Sequence, residues 1–155
     1  MNEMDQSRLL LQNIKAAFRG IVEAPTSYSP KQIRELSAQQ FQSIFNNLKV
    51  QIKGSEYLPY EKGSIFIYNH LDNHPSLVAA DHFQITLDSH YISGLLYKYY
   101  KDPGIRVARH SLARELNHKA YYDRFDYIRV YSKSFTPDHL TKKEVKKENK
   151  KFYER

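Results

Sequence analysis

Between residues 5 and 23 apolar side chains return every three or four positions. Leu10, Leu11, Ile14, Ala17, Phe18, Ile21 and Val22 share one face, with Arg8, Lys15 and Arg19 among the polar positions. That spacing predicts an amphipathic helix, and Asp5 near its start suits the positive end of the helix dipole. Residues 24–30 read as a linker. Ser29 and Pro30 then supply an N-cap and a first-turn proline, and Ile33, Leu36, Phe41, Ile44, Phe45 and Leu48 form a second apolar face. Beyond residue 49 the pattern shortens. Residues 50–53 alternate as a brief strand, 54–59 are rich in turn residues, and the run Ile65–Tyr68 predicts a strand over 64–68. The run stops at a polar cluster of Asn69, His70, Asp72, Asn73 and His74. Ser76 caps a predicted helix to about Asp88, and residues 91–96 predict a short strand. Asp102-Pro103-Gly104 is a turn, 105–109 a strand, 112–122 a helix and 125–131 a strand.

Strands alternating with helices predict an α/β fold: a mixed, partly parallel sheet flanked by helices, with an N-terminal helical pair. The expected division is an N-terminal helical region over 1–48, an α/β core over 49–135, and a basic charged helix or tail over 136–155. In the last of these Lys142, Lys143, Lys146, Lys147, Lys150 and Lys151 outnumber the apolar residues. In open α/β sheets, sites are built at the carboxyl ends of strands, which is where the cluster after Tyr68 falls.

Composition narrows the chemistry. With 155 residues, 41% of them hydrophobic, the chain can bury a core and is not a disordered segment. It has no cysteine, which excludes disulfides, zinc–thiolate sites and thiol nucleophiles and fits a reducing cytoplasm. A formal charge of +7 favours anionic partners. No apolar stretch approaches the ~20 residues of a membrane span, and the N-terminus lacks a signal-peptide layout. The helix over 5–23 has two readings: it packs its apolar face on its own domain, or it lies in a membrane interface with its basic residues at the headgroups.

His70 is the sharpest candidate for chemistry, because an imidazole near neutrality serves as a general base. Asn69-His70 after Ile65-Phe66-Ile67-Tyr68 resembles the first motif of the glycerolipid acyltransferase superfamily, typified by the 1-acylglycerol-3-phosphate acyltransferases. Residues 50–59, with Gly54, Glu56, Leu58 and Pro59, are similar to the lead-in of that family. Residues 127–132 resemble its second block, and the likeness covers about 45–135. It implies transfer of an acyl chain from acyl-CoA or acyl carrier protein to a hydroxyl of a glycerol-phosphate lipid. His70 would be the base, and Asn69 would shape the turn. No cofactor beyond the acyl donor is implied. The partners would be that thioester and an anionic membrane surface or lysophospholipid, for a peripheral protein on the cytoplasmic face of the membrane.

The sequence departs from the family at three points. Where the family has an Asp five residues past the His, this chain has Pro75, which leaves Asp72, then Asp81 and His74, to orient His70. The basic residue that ends the second block is replaced by Arg129 and Lys133 nearby, as phosphate holders. The Phe-Pro-Glu-Gly-Thr block is absent. The expectation is therefore an incomplete acyltransferase domain, and the alternative a non-catalytic remnant that binds lipid or anions. A third reading, a metal-dependent hydrolase, uses His70 and His74 four residues apart, but Pro75 opposes a helix there and no Glu accompanies the pair. Basic and aromatic residues interleave over 121–129, yet Asp123 and Asp126 interrupt them, so no nucleic-acid partner is expected.

Overall fold

The computed structural model describes residues 3–48, 50–61, 63–71, 77–131 and 139–151. Helix α1 runs Glu3–Val22 and α2 runs Pro30–Asn46, as their periodicity predicts. The start of α2 is closed by a capping box. Ser29 Oγ accepts from Gln32 N–H, and Gln32 Oε1 accepts from Ser29 N–H at 2.8 Å. A hairpin follows, β1 (Val78–Ala80) antiparallel to β2 (Phe83–Gln84), then α3 (Leu87–Tyr100). Strand β3 (Val107–Arg109) connects through α4 (Leu116–Tyr122) to β4 (Ile128–Val130), which lies parallel to it with Val107 opposite Ile128. Helix α5 spans Lys142–Lys150. The chain therefore mixes helix and sheet, α/β in the general sense. Among the described residues the sheet is two separate pairs, not one mixed sheet.

The core lies where the helices meet. Ile14, Ala17, Phe18 and Ile21 of α1 are buried against Ile33, Phe41 and Ile44 of α2 and against Phe83 and Ile85. The apolar face of α1 is thus packed on its own domain, the first of the two readings its periodicity left open. No helix among the described residues is long and apolar enough to cross a membrane. Rings fill the centre: Phe18 stacks on Tyr121 at 5.7 Å, and Tyr121 meets Phe125 at 5.0 Å. Gly94 lets α3 approach α2, since a Cβ there would stand 3.4 Å from the Ala38 carbonyl. Arg124 closes the end of α1 from outside the helix. Its guanidinium donates to the carbonyls of Ile21, Ala24 and Pro25 at 2.5–2.7 Å, in the last turn of α1 and just past it.

Four predicted elements are different in the structure. Residues 78–84 form the hairpin instead of a helix, turning at His82 with φ 54°. Residues 91–96 lie inside α3. A short apolar run does not distinguish a buried helix from a strand, and the small Ser93 and Gly94 suit a helix face pressed on α2. Residues 64–68 and 50–53 belong to no strand: among the described residues the apolar run pairs with no other segment, and Ile65 and Ile67 stand 89% and 93% exposed.

Candidate functional site

Asp88 occupies the first turn of α3, just after the N-cap residue Thr86, where the helix dipole favours a negative charge. Its carboxylate is 8% exposed, whereas His70 beside it is 61% exposed. Asp88 Oδ2 lies 2.6 Å from His70 Nδ1 and accepts from the Leu71 N–H at 2.7 Å. Oδ1 accepts from the Ser89 N–H at 2.6 Å and from Ser89 Oγ at 3.3 Å. Tyr68 O–H donates in turn to Ser89 Oγ at 3.0 Å. Burial by itself would raise the Asp88 pKa. The Leu71 and Ser89 N–H groups and the His70 ring outweigh it and hold the carboxyl below its ordinary value. A carboxylate so held keeps the His70 proton on Nδ1, and Nε2 is then the basic nitrogen.

His70 lines a cavity of about 770 Å³. Tyr68, Ser89, Arg106, His118 and Tyr122 contribute to its wall. Arg106 Nε donates to Ser93 Oγ at 3.0 Å, and its guanidinium lies over the Tyr127 ring, 5.3 Å from the centroid. Arg109 grips Glu115 through two hydrogen bonds of 2.7 Å. That grip, more than the opposing burial, brings the Glu115 carboxyl down to about 2. Burial, with the charge of Arg109, brings His118 down to about 4, so this ring is neutral in the cavity wall at pH 7. Its Nδ1 lies 2.6 Å from Ser111 Oγ.

A second histidine network lies beneath. His90 is fully buried. Its Nδ1–H donates to the Thr86 carbonyl at 2.7 Å, and its Nε2 accepts from Tyr121 O–H at 2.9 Å. Burial, then Arg106, pushes its pKa well below the ordinary value, so His90 is a neutral hydrogen-bonded part of the core.

The sequence candidates separate in space. His70 stands at the cavity and Asn69 is exposed next to it. Asp72, His74 and Lys133 lie outside the described residues. Asp81 sits in the exposed β1–β2 turn, where its carbonyl accepts from Asn117 Nδ2 at 2.9 Å; the carboxylate on His70 is Asp88. Arg129 is absent from the cavity wall. Its guanidinium donates to the Arg109 carbonyl at 2.9 Å and to Asp123 Oδ1 at 3.0 Å, so its fork is occupied within the β3–β4 unit. The arginines that line the cavity are Arg106 and Arg109, the second of them held by Glu115. Sequence reasoning missed Asp88 by placing it at the end of a helix. An acidic residue two places after a Thr is also a helix-start signal, and that alternative marks it. Among the described residues no group of three or more His, Asp or Glu is clustered to hold a metal ion. Comparison with protein-family models, curated proteins and solved structures finds no match to this chain.

Proposed function

We propose that the chain is an acyltransferase-like domain in which His70 activates a hydroxyl for attack on an acyl thioester. The observation that carries this reading is the 2.6 Å contact between His70 Nδ1 and the buried carboxylate of Asp88, at the mouth of a cavity of substrate size. A free alcohol is a poor nucleophile at neutral pH and needs a base. In the proposed step His70 Nε2 takes the hydroxyl proton as the oxygen bonds to the thioester carbonyl carbon. The tetrahedral adduct then expels the thiolate, the C–S bond breaks, and the thiol leaves with the proton from His70. Asp88 fixes the tautomer and steadies the imidazolium while it lasts. Arg106, whose terminal nitrogens make no hydrogen bond among the described residues, supplies the charge for a phosphate on the acceptor. A net charge of +7 favours an acceptor presented at an anionic lipid surface.

The test is transfer of a radiolabelled acyl chain from acyl-CoA or acyl carrier protein to glycerol phosphate or lysophosphatidate. The expected result is turnover that falls about 10²–10⁴-fold in His70→Ala, the range of general-base catalysis, and by a comparable factor in Asp88→Asn. Absence of turnover with every pair of substrates, with anionic-vesicle binding unchanged in His70→Ala, overturns the enzymatic reading and leaves a lipid- or anion-binding module.

A further inference from the structure

The β3–β4 pair is a two-stranded parallel sheet, and parallel strands ordinarily lie within wider sheets. Its two edges are treated differently. On the outer side of β4, the Asn149 side chain donates from Nδ2 to the Tyr131 carbonyl at 3.0 Å and accepts at Oδ1 from the Tyr131 N–H at 2.9 Å. A side-chain amide there stands in for a neighbouring strand. The β3 edge has no such cover at Val107 among the described residues. Ile128 N–H donates to the Arg106 carbonyl and His110 N–H to the Val130 carbonyl, both at 3.0 Å. The ladder to β4 thus runs through Arg106, Ala108 and His110, and Val107 turns its N–H and C=O outward. The Val107 side chain is 65% exposed.

The apolar run that ends in Tyr68 reaches the same cavity as this edge: Tyr68 and His70 line it together with Arg106, Val107 and Arg109. Among the described residues, positions 63–70 make no main-chain to main-chain hydrogen bond. In chain order the run 64–68 is followed by the β1–β2 hairpin and then by α3, β3, α4 and β4. The βαβ unit β3–α4–β4 is assembled; ahead of it, with the hairpin interposed, an apolar run precedes a helix and a strand in the same sense. In such a unit the helix runs back against the strands, so its start lies at the carboxyl end of the first strand. Two contacts hold the run there already, Tyr68 to Ser89 and His70 to Asp88.

The geometry points to a closing strap: residues 64–68 seat as a third parallel strand on the Val107 edge of β3. The strap pivots on the contacts with the start of α3, and Gly63, with φ 95° and open space around it, serves as the upstream joint. Closure gives Ile65 and Ile67 a sheet to lie in, narrows the cavity, and leaves His70 at the carboxyl ends of adjacent strands. It does not depend on the acyl-transfer reading, and its test needs no activity.

The test is hydrogen exchange of the full chain, wild type against Val107→Pro. Proline removes the outward N–H of an edge strand and leaves the ladder to β4 in place. We expect the amides of 65–68 to exchange at least about tenfold more slowly than an unstructured chain, and to lose that protection in Val107→Pro while the β4 amides keep theirs. Exchange at the unstructured rate in the wild type, or protection that survives Val107→Pro, overturns the strap. A second measurement covers a variant that fails to fold. Because the chain has no cysteine, Ile67→Cys with Val107→Cys forms an unambiguous pair under mild oxidation. An intramolecular disulfide is expected. No disulfide overturns the proposal, and a cross-linked dimer overturns it in favour of strand exchange between two copies.

Discussion

Asp88→Asn is the perturbation that probes the site most directly, because the carboxylate has two oxygens with different duties. Asparagine retains Oδ1, so the Ser89 N–H and Oγ keep a neutral acceptor. At the other position an NH₂ group meets two donors, Leu71 N–H and His70 Nδ1–H. A hydrogen bond to a charged group is worth about 1.5–3 kcal/mol when desolvated. Leu71 and His70 are both exposed, so water takes over part of each bond and a net loss of about 0.5–1 kcal/mol apiece is appropriate. The lost charge at the start of α3 adds about 0.3–1 kcal/mol. The sum, about 2 kcal/mol, lowers the urea midpoint by about 1 M at a slope of about 2 kcal/mol per M. The pH dependence has a definite sign. Asp88 has a lowered pKa in the folded state, so its contribution is present above the ordinary carboxylate range and is lost as pH falls through the folded value. The difference between wild type and Asp88→Asn must therefore be full at pH 7 and shrink in acid. Urea titrations at several pH values, with ¹⁵N spectra of the His70 ring to report its tautomer, measure both. A midpoint change below about 0.25 M at pH 7, together with an unaltered ring spectrum, refutes the idea that Asp88 orients His70.

Two further substitutions test the surroundings. Glu115→Gln removes a carboxylate held down to about 2. A shift of that size corresponds nominally to ~3 kcal/mol, but Arg109 is 41% exposed and solvent screening reduces the expected loss to about 1 kcal/mol. Because this pKa too is lowered, thermal melts should differ at pH 7 and converge as pH falls from 4.5 towards 2. Tyr121→Phe leaves the buried His90 Nε2 without its donor and should cost about 1–3 kcal/mol in chemical denaturation; a neutral result would show that the core histidine needs no partner.

What the sequence made legible is what local physics decides. The faces of α1 and α2, and the cap at Ser29, follow from period and capping chemistry, and both helices are present. The parallel pairing of β3 with β4 follows from strand–helix–strand order. What it left illegible depends on partners distant in the chain. Residues 91–96 carry an apolar run that suits a strand or a buried helix, and contact with α2 through Gly94 selects the helix. His70 was conspicuous because a polar cluster interrupts an apolar run. Its partner was not, because Asp88 lies eighteen residues away and its carboxylate matters only once α3 begins beside Tyr68. Arg129 is a similar case. A basic residue on a strand invites a ligand role, but Asp123 and the Arg109 carbonyl occupy it, and neither contact is visible without the fold.

The position of the His70 ring is consequently set by α3 more than by its own segment. Among the described residues, 63–70 make no main-chain to main-chain hydrogen bond, whereas Asp88 is fixed by Ser89, and α3 is fixed in turn by Gly94 against α2 and by His90 through Thr86 and Tyr121. An imidazole held through one carboxylate at a helix start keeps its orientation even while the chain on either side of it moves. In the proposed closure the contact that orients His70 is the pivot and not the moving part, so the ring keeps its place on Asp88 while 64–68 seats on β3.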